Sequence, residues 1–280
     1  MGYSYKIQET LKKYIYIGNF EEFKKLFDEI ILKGDSENYL LGTKDEHRGV
    51  LYWASRQIMS EELIIYLIDE CGADINEQHG KHLQTALITS IESGNLNIVR
   101  LLLSKGANMF LTDKYGNIPI VHVIMKMGSN YHDEEMFGEL YNYMTIGDKI
   151  TKNNFGATPL HYACKYGTVE TIKLLLNIYG IDDKDCNFIN ETTTNKELQQ
   201  IIENYDNDVK INIDMLCLRL KYQNIINNNV SINIKDYNGD TLLHWASYEN
   251  NTNENIKYLL MLGADPNIRN NDGDIALELL

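Results

Sequence analysis

A pattern of about 33 residues recurs along this chain, and no other feature of the sequence constrains its fold as strongly. The clearest copies run over 153–180 and 236–267. Each starts with a short polar turn that contains a glycine, continues with threonine, apolar residues and histidine, and then has a leucine-rich segment. A unit this short cannot bury its own apolar residues, so neighbouring units must stack and share a continuous core.

The spacing of the repeats is measured from the residue at the threonine position of each. The residues at this position are Gly49, Thr85, Ile118, Thr158, Thr241 and Ile275. The intervals between them are 36, 33, 40, 83 and 34 residues. The interval of 40 requires an insertion or a lengthened helix. The interval of 83 would fit one degenerate repeat, with helices over 195–205 and 214–227.

These units closely resemble the ankyrin-repeat family, which reads D-x-x-G-x-T-P-L-H-x-A, then an apolar helix, then G-A-D-x-N. The match is most specific over 151–180 and 234–276 and weakest over 1–48 and 181–232. The resemblance implies an all-α solenoid of stacked helix-turn-helix units with β-hairpin loops. Asparagine, isoleucine, lysine and tyrosine, whose codons are AT-rich, are abundant. In this bias and in its divergence, the chain resembles ankyrin-repeat proteins of large DNA viruses or intracellular bacteria.

The chain is expected to divide into four segments. They are an N-terminal helical cap over 1–43, ankyrin repeats over 44–181, a degenerate repeat or acidic insertion over 182–233, and an ankyrin repeat with a terminal half-repeat over 234–280. Residues 182–210 contain eight carboxylates and three lysines. A solvated insertion explains this charge, and an acidic contact for a basic partner is the alternative.

The motif residues have structural tasks in this interpretation. They are Thr158, Pro159, Leu160, His161, Gly167, Gly239, Thr241 and His244. A threonine oxygen caps the first helix, and proline suits its first position because no N–H is needed there. Glycine suits helix ends and hairpin turns, where a positive φ is useful. The resemblance implies that both histidines bond the backbone of the loop.

The sequence predicts a protein that is not an enzyme and has no cofactor or metal. It contains no phosphate-binding loop, zinc-protease motif or nucleophile elbow. His79 and His82 are two histidines on one hairpin without a second pair of ligands, so a solvated loop is the better interpretation. The cysteines Cys71, Cys164, Cys186 and Cys217 form no C-x-x-C pair, which favours a reducing compartment.

The net charge of −14 limits the partners of this chain. Binding to phosphates requires clustered lysine and arginine, so neither nucleic acid nor an anionic membrane is expected as the main partner. A basic protein partner is compatible with the charge. The N-terminus has no apolar signal region, so we expect a cytoplasmic monomer, in the host cytoplasm if the chain is a viral or bacterial effector.

Aromatic residues occupy positions that the ankyrin pattern leaves variable, at the hairpin tips and on the first helices. These candidate partner-binding residues are Trp53, Tyr115, Phe155, Tyr162, Tyr166, Tyr237, Trp245 and Tyr248. Tyr115, Phe155 and Tyr237 are taken as equivalent tip residues. We expect them to line the concave face and to bind a partner protein, because exposed tryptophan and tyrosine often anchor interfaces. The alternative is that they pack sideways on the next repeat.

Two other functions are compatible with the sequence. An adaptor would present a target to a machine recruited by an adjoining segment, and an enzyme would need a site within 181–232, where no nucleophile and base pair up. The resemblance also implies a modification, since Asn76 and Asn267 match the asparagine that animal cytosolic hydroxylases accept.

Overall fold

A computed structural model describes residues 2–34, 49–57, 60–127, 133–144, 151–178, 231–248 and 253–279. The chain consists of two compact units, Met1–Tyr143 and Met144–Leu280. In both units short helices pack in pairs, and hairpin-like loops connect successive pairs. The predicted all-α solenoid of helix-turn-helix units is confirmed.

The first unit begins with a helix pair and continues through three repeats. Its helices are α1 (Gly2–Ile17), α2 (Phe20–Leu32), α3 (Val50–Ser55), α4 (Glu61–Ile65), α5 (Ala86–Glu92), α6 (Leu96–Ser104), α7 (Pro119–Lys126) and α8 (Asp133–Asn142). A π-helical turn over Tyr66–Glu70 extends α4. The helix pair α1 and α2 occupies the segment expected to be the N-terminal cap, and α1 packs on α3.

Polar side chains define where several of these helices begin. Asn19 accepts a hydrogen bond from the backbone N–H of Glu22 at the start of α2, and Thr85 accepts one from Ile88 at the start of α5. Such caps satisfy N–H groups that have no partner within the helix. The leucine-rich second helices then bury one face, as in α6, where Ile98, Val99 and Leu102 are fully buried.

The described residues of the second unit form two complete helix pairs and a final half-repeat. Its helices are α9 (Pro159–Tyr166), α10 (Val169–Ile178), α11 (Leu242–Ser247) and α12 (Asn253–Met261), followed by a 3-10 turn (Ala276–Leu279). Its core combines leucines of both helices with small residues, and Leu160, Ala163, Leu175, Leu242 and Leu259 are all buried.

The repeats that begin at Thr158 and Thr241 pack directly on each other. The backbone N–H of Tyr237 donates to the carbonyl of Phe155 at 2.9 Å, as that of Asn271 does to Asn238 in the next pair of hairpins. The first bond joins residues 82 apart in sequence and the second joins residues 33 apart. Helix α11 correspondingly lies against α9. The helices expected over 195–205 and 214–227 lie outside the described residues.

Candidate functional site

The two motif histidines belong to the frame of their repeats. Nδ1 of His161 accepts a hydrogen bond from the backbone N–H of Thr158 at 3.1 Å, and His244 accepts the equivalent bond from Thr241 at 3.2 Å. Burial, together with the nearby charge of Lys152, lowers the pKa of His161 to about 4. A neutral, buried imidazole that is held by its own helix cap is suited to structure and not to proton transfer.

An aromatic cluster covers the face of the second unit formed by the hairpins and the first helices. The indole N–H of Trp245 donates to Asp236 at 3.1 Å, and the hydroxyl of Tyr248 donates to Asp240 at 2.8 Å. Both carboxylates are buried. The rings are therefore held in place by groups of their own hairpin, and the acidic groups beneath them are already hydrogen-bonded.

Tyr162 departs from the expected arrangement. Only 9% of its surface is exposed, its hydroxyl accepts a hydrogen bond from Asn153 at 2.9 Å, and its ring centroid lies 5.0 Å from that of Trp245. The contact with Trp245 arises because the two repeats stack directly. Tyr162 thus packs sideways on the next repeat, and it does not offer the exposed ring that the sequence predicts.

The hairpin tips are the most exposed part of this face. Phe155 is 49% exposed and Tyr237 is 64% exposed. They are not equivalent, contrary to the sequence interpretation, because Phe155 directly precedes its turn glycine whereas Tyr237 stands two residues before Gly239. The ring of Tyr237 lies over Gly156, where a Cβ would approach it to 2.6 Å.

We use the name aromatic surface for five residues of the second unit: Phe155, Tyr166, Tyr237, Trp245 and Tyr248. Two lysines lie beside its rings. Lys152 is 5.8 Å from the ring centroid of Tyr237, and Lys165 is 5.0 Å from that of Tyr166. Ammonium groups at this distance are attracted to the faces of aromatic rings, so each lysine helps to hold the ring beside it in place.

The aromatic candidates of the first unit differ in their accessibility. Trp53 is partly buried, because Nζ of Lys12 lies 4.1 Å from its ring centroid and the ring of Tyr16 lies 6.2 Å away. Helix α1 therefore covers much of this residue. Tyr115 lies on a hairpin tip and is 44% exposed.

His122 has a role that sequence reasoning did not identify. It occupies the helix position of Trp53 and Trp245, and its ring nitrogens lie 3.4 Å from Glu92 and 3.3 Å from Asp113. Burial alone would lower the pKa of His122, but the two carboxylates raise it to about 9. It is therefore a buried cation at neutral pH. The signal in the sequence was a hairpin aspartate nine residues before the histidine, the spacing that also joins Asp236 to Trp245.

The remaining predicted positions show structural contacts. Nδ1 of His79 accepts a bond from the backbone N–H of Gly49 at 3.3 Å, and Cys164 is buried, which raises the pKa of its thiol. Asn76 accepts a bond from the N–H of Asn108, and Asn267 is exposed beside Asp265. Within the described ranges, no group of three histidine, cysteine or acidic side chains could hold a metal ion.

Comparisons with known proteins agree on the type of repeat. The family model "Ankyrin repeats (3 copies)" matches residues 18–113, 51–134 and 114–211, and "Ankyrin repeats (many copies)" matches 225–280. None of the helices in the described part of the chain is both long and apolar enough to span a bilayer.

Individual relatives cover parts of the chain. It is 34% identical over 116 residues to human "Transient receptor potential cation channel subfamily A member 1", over 41% of this chain and 10% of that protein. It is 29% identical over 109 residues to "Putative ankyrin repeat protein R664" of Acanthamoeba polyphaga mimivirus, over 39% of this chain and 67% of that protein.

A solved structure has a similar fold. It is the Bdellovibrio bacteriovorus predatory endopeptidase Bd0816 in complex with the immunity protein Bd3460, with a TM-score of 0.52 and 21% identity. The match covers 82% of this chain and 89% of that one. At this level of identity the similarity concerns the fold alone.

Proposed function

Because the chain belongs to the ankyrin-repeat family, whose repeats are protein-interaction modules, we propose that it binds a partner protein through the aromatic surface of its second unit. The proposal describes a binding protein and not an enzyme. The alternative of an enzyme site within 181–232 concerns residues almost all of which lie outside the described ranges.

The observation that carries this proposal is the combination of exposure and fixed geometry. Phe155 and Tyr237 are large apolar side chains at the outermost part of the repeats, while the rings behind them are hydrogen-bonded to buried carboxylates. Rings that are already ordered lose little conformational entropy on binding, and burying a large aromatic side chain contributes strongly to affinity.

A further part of the proposal concerns the organism and the compartment in which the partner is found. The partner is proposed to be a host protein in the cytoplasm; the similarity of 39% of this chain to a viral ankyrin-repeat protein is the observation that suggests a host. Affinity purification from the natural cell, with identification by mass spectrometry, would supply the partner. Cell fractionation would test the location.

The first prediction concerns the hairpin tips. Tyr237→Ala and Phe155→Ala should each weaken binding of the identified partner by about 2–4 kcal/mol, the usual loss for an aromatic hot spot. Because Phe155 is about half exposed and Tyr237 is mostly exposed, each change should shift the melting temperature much less than it weakens binding. Isothermal titration beside a thermal melt measures both quantities.

The matched control is Tyr143→Ala, which removes a similarly exposed tyrosine from the end of the first unit. It should leave the affinity unchanged. If all three variants bind the partner as tightly as the wild type, the aromatic surface is not the binding site.

A further inference from the structure

Leu83 adopts a backbone conformation that leucine rarely takes. Its φ is +53°, and among the described residues it is the only one other than glycine with a positive φ. In a left-handed conformation the Cβ atom approaches the following carbonyl oxygen, so the conformation is costly for any residue with a side chain. The rest of the hairpin must hold Leu83 in place against this cost.

The position is occupied by glycine in the other hairpins of this type that the structure describes. The N–H of Leu83 donates to the carbonyl three residues before it, and this bond is repeated in four other hairpins. The corresponding residues there are Gly116, Gly156, Gly239 and Gly273, with φ between 79° and 92°. Leucine at this turn is therefore unfavourable for folding, while glycine would form the same turn without strain.

The side chain gains little burial in return, because Leu83 remains 43% exposed. It lies at a hairpin tip that is joined to the next one, where the N–H of Lys114 donates to the carbonyl of His82 at 3.0 Å. Tyr115, itself 44% exposed, follows Lys114 on that second tip. Two exposed apolar side chains thus occur on adjacent tips of the first unit.

Two lysines lie at these two tips. Lys81 lies in the turn that carries Leu83, and Nζ of Lys114 lies 4.5 Å from the ring centroid of Tyr115. The carboxylate of these hairpins, Asp113, is buried and paired with the cation of His122. Two carboxylates stand just before the first hairpin: Asp74 is exposed, and Glu77 has a pKa raised to about 7 by burial and by Asp74.

We propose that Leu83 and Tyr115, with Lys81 and Lys114, form a second contact site that binds an acidic segment of a protein partner containing a large apolar side chain. The apolar side chain packs on Leu83 and Tyr115, and flanking carboxylates pair with the lysines. The site lies outside the aromatic surface of the second unit. Its acidic partner also differs from the basic partner with which the net charge of the chain is compatible. The backbone of Leu83 is unfavourable for folding, and its exposed side chain serves binding instead.

The test separates binding from folding by a single change, Leu83→Gly. Glycine relieves the strained backbone, so the melting temperature should stay the same or rise by up to about 3 °C. The binding probe is a set of peptides selected from a phage-displayed random library on the wild-type chain. Selected peptides should combine Asp or Glu with a large apolar residue, and Leu83→Gly should weaken them about tenfold or more.

Charge variants complete the experiment. Lys81→Gln and Lys114→Gln should each lower the affinity of these peptides by about two- to fivefold, and added salt should lower it further. Ile65→Ala, which shortens an exposed apolar side chain on α4, should have no effect. Only selected peptides that are insensitive to Tyr237→Ala report on this site. If those peptides are basic, or keep their affinity for Leu83→Gly, the proposal is overturned.

Two further measurements test for a membrane partner and for independence from the aromatic surface. Co-sedimentation with phosphatidylserine vesicles that is lost in Leu83→Gly, in the absence of peptide binding, would replace the protein partner by a membrane and overturn the proposal. Peptides that depend on Leu83 should be insensitive to Tyr237→Ala. If the Leu83 site fails its test, the proposal for the aromatic surface is unaffected. If the aromatic surface fails its own test, the proposal for the Leu83 site is likewise unaffected.

Discussion

At the scale of single residues, His122 shows how a helix position can acquire a different task in each repeat. Trp245 at the equivalent position donates an N–H to the carboxylate of its hairpin, Asp236. His122 stands next to the equivalent carboxylate, Asp113, and also contacts Glu92 of the preceding repeat. The same frame therefore holds a neutral indole in one unit and a buried cation in the other.

The charge of His122 predicts a dependence of stability on pH. Its pKa rises from 6.5 in the unfolded chain to about 9 in the folded one. The stabilisation is therefore fully present below pH 6.5 and is lost as the pH rises through 9. After allowance for the partial exposure of Glu92, we expect about 2 kcal/mol. Urea unfolding of the wild type and of His122→Gln at pH 6, 8 and 10 should show a difference that shrinks with pH.

His161 provides the control of opposite sign. Its pKa falls from 6.5 to about 4 on folding, so its neutral form stabilises the fold above pH 6.5 and this contribution is lost as the pH falls through 4. The interpretation of His122 as a buried cation would be contradicted if the wild type lost no stability between pH 6.5 and 10 and His122→Gln behaved in the same way.

Trp245 carries a different prediction from the exposed tips. Its ring packs against Tyr162 and His161, with centroids 5.0 and 5.6 Å away, and its N–H is bonded to Asp236. Trp245→Ala should therefore destabilise the second unit by about 3 kcal/mol as well as weaken the partner. In Trp245→Phe the ring remains and the hydrogen bond is lost, so the cost should be about 1 kcal/mol. Thermal melts of the two variants would show whether packing or the bond dominates.

At the scale of elements, Asn255 connects neighbouring helix pairs. It lies near the start of α12, is buried, and its side-chain amide donates to the carbonyls of Cys164 and Gly167, at the end of α9. These carbonyls are left without partners where the first helix ends, so an amide from the next repeat satisfies them. The stacking of repeats thus depends on polar contacts at helix ends as well as on apolar burial.

Asn255→Ala should cost about 1–3 kcal/mol, because two bonds to carbonyls at a helix end are lost together. Glu254→Gln, at the exposed neighbouring position, should change the free energy of unfolding by less than about 0.5 kcal/mol. Urea melts followed by tryptophan fluorescence measure both. Equal stabilities for the two variants would mean that the bonds from Asn255 contribute nothing.

At the scale of the whole molecule, the repeats that begin at Thr158 and Thr241 lie 83 residues apart in sequence but are stacked on each other. Their hairpins are joined by the same backbone bond that joins hairpins 33 residues apart. We therefore propose that the repeats of Thr158 and Thr241 are direct neighbours, with no further repeat layer between them. The family match that extends to residue 211 keeps a degenerate repeat as the competing interpretation.

Deletion of the segment between these repeats distinguishes the two interpretations. Replacing 181–229 by a flexible linker of about ten residues should leave a cooperative melt within about 3 °C of the wild type, because the bond between Tyr237 and Phe155 and the packing of α9 on α11 are retained. The tryptophan fluorescence spectrum, to which Trp245 contributes, should not change. Loss of cooperative unfolding would show instead that the deleted residues form part of the stack.

The repeat, the helix pairs and the cap by Thr241 could be predicted from the sequence by itself, because they depend on residues close together in the chain. Gly167 is an exception: its place at a helix end predicted a positive φ, but its φ is −88°. A threonine cap or a turn glycine acts within a few residues, and stacking follows from an apolar face that must be covered. The family and the all-α solenoid followed from these local patterns.

Only the tertiary structure decided which repeat lies beside which, and with it the state of individual side chains. The burial of Tyr162 depends on Trp245, 83 residues away, and the charge of His122 depends on a carboxylate of another repeat. The exposure of Leu83 likewise depends on what the adjacent tip leaves uncovered. Burial, ionisation and accessibility are set by neighbours in space, and a local sequence pattern does not name those neighbours.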